Sequence, residues 1–75
     1  MTRQVKITNC KTASIRQSPW IPSLDEDVIG EVRNGETVAV NTDDICYDWK
    51  DRKFYKVNQG SLEGWIFEGV IDLNN

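Results

Sequence analysis

The chain contains no histidine and two cysteines, Cys10 and Cys46. A Ser–His or Cys–His nucleophile pair is therefore excluded, as is any histidine-containing zinc site. Two thiols far apart in sequence make no metal motif and read as small, buried or half-buried hydrophobes. Carboxylates stand in two groups, Asp25, Glu26 and Asp27 in one and Asp43 and Asp44 in the other. A calcium loop needs oxygen ligands at alternating positions and a glycine for its turn, which three consecutive acids do not supply. No cofactor, metal or catalytic residue is expected. The side chains left with something to do are the aromatics Trp20, Phe54 and Trp65. Exposed rings in a cluster point to an interaction surface. The acidic triplet follows Trp20 on the same stretch of chain, so ring surface and negative charge are expected side by side. The expected ligand sites are Trp20, Phe54 and Trp65 for an apolar or proline residue of a peptide, and Asp25, Glu26 and Asp27 for its Lys or Arg. The plainer alternatives are a solvated loop tip for the acids and a cap over one end of the core for Trp20.

The elements that must position these residues are short strands. Val5 and Ile7 alternate with polar neighbours, as do Ala13 and Ile15, and period-two alternation marks a half-buried strand. Residues 17–27 hold Pro19 and Pro22 three positions apart, which forbids a helix or a central strand and makes this a long loop of the kind that carries function. Strands are expected over 28–32, 37–40, 45–49, 54–57 and 65–67. Asn34-Gly35 between the first two is a strong hairpin signal, because both central residues of the favoured turn take positive φ. Residues 41–44 read as a polar break and 50–53 as a charged turn. Residues 70–73 read as a 3₁₀ turn or a last short strand. The inward positions are Ile7, Ala13, Ile15, Val32, Val38, Val40, Tyr55, Val57 and Ile66. Alternation sets Phe54 against Tyr55 and Trp65 against Ile66, so Phe54 and Trp65 are expected to face outward together, near Trp20. Tyr47 and Trp49 read as a cover for the edge of their hairpin, with a second contact surface or a homodimer seam as the alternative. No segment reads as an amphipathic helix, so the class is all-β.

The whole chain, 1–75, is long enough for one domain and one small core. Nine basic and twelve acidic residues give a net charge of −3, which opposes sequence-independent binding to nucleic acid and adsorption to an anionic membrane. No signal-like segment is legible ahead of Val5, so the expected compartment is the cytoplasm, with both thiols reduced.

Several segments, taken in order, resemble the bacterial SH3 family: Ile15-Arg16, Ser18-Pro19, Val28-Ile29-Gly30-Glu31-Val32, Gly35-Glu36-Thr37-Val38-Ala39-Val40, Phe54-Tyr55-Lys56-Val57 and Gly64-Trp65-Ile66. The resemblance spans residues 5–73. It implies an SH3-like, five-stranded β-barrel and a binding role. It departs from the family pattern at Phe54, where tryptophan is usual, and at Val70, where a tyrosine often follows the closing strand. Residues 41–53 are longer than usual, which implies an extended hairpin. Family members recognise cell-wall peptides when joined to secreted hydrolases, and others are interaction modules, including small proteins of bacteriophage genomes. The reading that results is a non-enzymatic module that binds a protein or peptide inside a bacterial cell through an aromatic groove with an acidic rim. Its alternatives are a cell-wall peptide binder and an acidic inhibitor of a host nucleic-acid-binding protein.

Overall fold

The computed structural model describes residues 2–18 and 28–73. Its strands are β1 (Thr2–Ile7), β2 (Thr12–Arg16), β3 (Val28–Arg33), β4 (Thr37–Tyr47), β5 (Lys53–Gln59), β6 (Leu62–Phe67) and β7 (Ile71–Asp72), with a 3₁₀ turn, Glu68–Val70, between the last two. All pair antiparallel in one sheet, ordered β3-β2-β6-β5-β4-β1-β7. The all-β, SH3-like class holds. The strand count exceeds the five that the resemblance implies, because β1 pairs with β4 and the two-residue β7 pairs in turn with β1.

Alternation dictates the core. Ile7, Ala13, Ile15, Val38, Val40, Tyr55, Val57 and Ile66 are buried in one cluster, joined by Val5 and Ile71. Val32 is only half-buried and packs against its edge. Strands far apart in sheet order, β2 at one side and β1 and β7 at the other, thus place side chains in the same core. The sheet must curl onto itself to allow that, and its near-equal extents of 31 × 25 × 24 Å agree.

The Asn34-Gly35 turn is present but does not make a hairpin. Glu36 N–H donates to the Arg33 carbonyl at 3.0 Å. Gly35 has φ +89°, whereas Asn34 is not among the residues with positive φ, a sign pattern of a type II rather than a type I′ turn. The strands it joins do not pair with each other: β3 pairs with β2, and β4 with β1 and β5. The reason lies in the neighbouring turn over residues 8–11. Gly35 N–H donates to the Ile7 carbonyl (2.9 Å), Ile7 N–H to the Glu36 carbonyl (2.8 Å) and Asn34 N–H to the Lys11 carbonyl (3.1 Å). Two adjacent corners are stitched together, and each passes the chain from one ladder to the other.

Residues 41–44 are likewise no break. The β4–β5 register moves from Asn41↔Lys56 to Ile45↔Tyr55, so β4 carries three extra residues in a bulge. Asn41 organises it, its Oδ1 accepting from Asp43 N–H at 3.0 Å and its Nδ2 donating to Asp44 Oδ2 at 3.1 Å. Beyond the bulge the two strands continue as the extended hairpin to Tyr47↔Lys53. Trp49 lies in the turn at its tip rather than in a strand.

Candidate ligand-binding cleft

β2 and β6 touch at a single pair, Arg16↔Trp65. Gly64 makes that approach feasible: a Cβ there would stand 2.6 Å from Ile15 Cγ2 and 2.9 Å from the Arg16 carbonyl oxygen. From this bridge the strands diverge, and the next positions, Ser14 and Phe67, are not paired. The gap is a pocket of about 220 Å³ lined by Thr12, Ala13, Ser14 and Arg16 of β2, Phe54 of β5, Phe67 of β6, Val70 of the 3₁₀ turn and Arg52 of the hairpin tip. Arg16 places this wedge beside the Arg16–Trp65 bridge.

The apolar part of the wedge follows from register. Phe54 faces Phe67 across β5 and β6, with ring centroids 5.7 Å apart and planes tilted by 53°, a favourable aromatic geometry. Val70 adds an aliphatic surface where the resemblance led one to expect an aromatic ring.

The charged part is cationic. Arg52 Nε donates to Asp48 Oδ2 at 2.6 Å, with the Asp48 side chain almost wholly buried and that of Arg52 half exposed. Asp48 is held in turn by the N–H groups of Lys50 and Arg52, each at 2.8 Å. Burial alone would push the Asp48 carboxyl up. The backbone N–H groups of Arg52 and Lys50 and the Arg52 guanidinium outweigh that and keep it below its ordinary value. The carboxylate thereby fixes the direction of Arg52. The Arg16 side chain, by contrast, has no hydrogen-bond or ion-pair partner among the described residues.

The residues expected from sequence are only partly brought together. Trp20, Asp25, Glu26 and Asp27 lie outside the described residues. Phe54 does share the outward face with Trp65, but it is buried, at 5% exposure, which corrects the expectation of an exposed ring. Phe67, directly opposite in the ladder, covers it. Trp65 is half-buried at the head of the wedge, and Lys56 Nζ stands 5.1 Å from its ring centroid. It does not line the pocket. Tyr47 and Trp49 do not cover the hairpin edge either: they are 54% and 52% exposed, with Lys50 Nζ 4.6 Å from the Trp49 ring. The residues that sequence reasoning passed over are Phe67, Arg16 and Arg52. For Phe67 a signal existed, since it shares a strand face with Trp65. For the arginines none did, because nothing local marks which surface cations converge.

Among the described residues no group of acids and thiols is arranged to hold a metal ion, and no helix is long and apolar enough to cross a membrane. A curled antiparallel sheet with a wedge on its outer face defines a small barrel. The family model for the bacterial SH3 domain matches residues 11–72, and the chain belongs to that family. Membership points to a binding module. No curated protein and no solved structure matches the chain.

Proposed function

We propose that this protein is a non-enzymatic binding module that takes a peptide segment of a protein partner, inside a bacterial cell, in the wedge between β2 and β6. The observation that carries the reading is the wedge itself, where a buried and a half-buried phenylalanine, two hydroxyls and two guanidinium groups meet in one concavity. A concave site with an apolar body and a few convergent polar groups is the usual form of a recognition pocket. The residues are suited to contact rather than catalysis. Among the described residues no general base or nucleophile–base pair lines the pocket, and its ionisable members are both arginines, which stay protonated.

Panning a library of displayed random peptides on the 75-residue chain tests this. The selected peptides should lose binding to a Ser14→Trp variant, in which an indole fills the wedge from an outward-facing position. They should still bind a Tyr47→Ser/Trp49→Ser variant of the hairpin. Loss on the hairpin variant with retention on Ser14→Trp would move the site to the hairpin. Sedimentation with purified peptidoglycan, sensitive to Ser14→Trp, would replace the intracellular partner with the cell wall.

A further inference from the structure

We infer that the wedge recognises the C-terminal carboxylate of a peptide that ends in an apolar residue, with Arg16 as the carboxylate's partner. This rests on the peptide-binding reading and specifies its chemistry. Charge is the first argument. The chain as a whole carries −3, yet among the described residues both charged side chains that line the wedge are arginines. Of the acids nearby, Asp48 is committed to Arg52 and to backbone N–H groups. Glu31, opposite Ser14 in the β2–β3 ladder, is exposed and does not line the wedge. Among the described residues the Arg16 side chain has no partner, and it presents a fork of donors whose geometry matches a carboxylate.

Position is the second argument. Arg16, of the β2–β6 pair Arg16↔Trp65, lines the same concavity as Phe54 and Phe67, so a guanidinium and an apolar surface border one small space. Size is the third. A volume of about 220 Å³ is below the roughly 300 Å³ at which pockets for larger ligands begin. A terminal residue carries its carboxylate and its side chain on the same Cα, so one residue satisfies both the guanidinium and the Phe54–Phe67 surface. An aspartate or glutamate side chain would need a second residue for the rings, and a phosphate has no apolar part to offer them.

The test is a set of NMR titrations of the ¹⁵N-labelled chain, read at the backbone amides of residues 12–16 and Phe67 and at the Arg16 Nε–H. The probes are acetyl-Gly-Ala-Leu with a free carboxylate, the same tripeptide as its C-terminal amide, acetyl-Gly-Ala-Glu amide, and inorganic phosphate. The free acid should shift the wedge resonances and saturate, while both amides bind about tenfold more weakly, the loss expected for one charge-assisted hydrogen bond. Arg16→Gln, on a half-exposed position, should keep its dispersed spectrum and bind acid and amide alike. If acid and amide bind the wild-type wedge equally, the carboxylate assignment fails and the peptide-binding reading stands. An equal response to phosphate marks a general anion patch and also overturns the assignment. If no tripeptide moves the wedge resonances, the assignment is wrong. If peptides from the display library then map to another face as well, the proposed site falls with it.

Discussion

Gly64 is held by distance rather than by a dihedral angle. A methyl group there would press into Ile15 and the Arg16 carbonyl, the one place where β6 meets β2. Gly64→Ala should cost about 1–3 kcal/mol by overpacking and widen the wedge, which denaturant unfolding and loss of peptide binding would report together. Phe54 belongs to a different category than its sequence position suggests. Its burial against Phe67 means that Phe54→Ala should cost about 3–5 kcal/mol. An unchanged unfolding midpoint would contradict that packing. Cys46 shows how burial governs reactivity. Its partial burial, and then the charge of Asp48, push the thiol up to about 11, with Lys56 pulling the other way. The thiolate is the reactive form, so iodoacetamide at pH 8 should label Cys46 in the native protein much more slowly than in the unfolded chain. Both Cys10 and Cys46 are free thiols, so both should label in denaturant without reductant.

At the scale of elements, the hairpin tip is organised around one residue. Asp48 closes it from both sides: its backbone N–H donates to the Arg52 carbonyl, its carbonyl accepts from Asp51 N–H, and its side chain takes three further donors. Asp51 sits at φ +61° inside that frame. The carboxyl is held below its ordinary value of 3.8, so its contribution is fully present above that pH. It fades as pH falls through the lower value it has in the folded protein. The protection of the Lys50 and Arg52 amides, taken relative to intrinsic exchange at each pH, should therefore be high at neutral pH and fall on acidification below about 3.8. Asp48→Asn should remove that protection at neutral pH, and because Asp48 orients Arg52, should also weaken peptide binding. Exchange that ignores both changes would show that the tip is held by something else.

At the scale of the whole molecule, one small core supports every strand. Val38 and Val57 are fully buried in it, so Val38→Ala should cost about 1–3 kcal/mol. In a domain of 75 residues that is a large part of the total. A single cooperative transition with a lowered midpoint is expected, and a change near zero would argue against the observed register.

What the sequence by itself determined was the class of fold and the two faces of each strand. Alternation is a local property: Ala13 and Ile15, or Tyr55 and Val57, declare their side of the sheet with no knowledge of their neighbours, because successive side chains point to opposite faces. Gly35 likewise announced a positive φ from its own chemistry. Pairing was beyond that reach. Asn34-Gly35 specifies a tight turn, but whether the joined strands meet depends on the 8–11 turn that lies against it. Phe54 faced outward as alternation requires, yet only the ladder could place Phe67 over it and turn an exposed ring into a buried one. The same holds for the wedge. Arg16, Arg52 and Phe67 are distant in sequence, and they converge because β2 and β6 meet once and then part. Which strands neighbour one another, and where they separate, is set by closing one core with a single curled sheet, and that balance exists only in three dimensions.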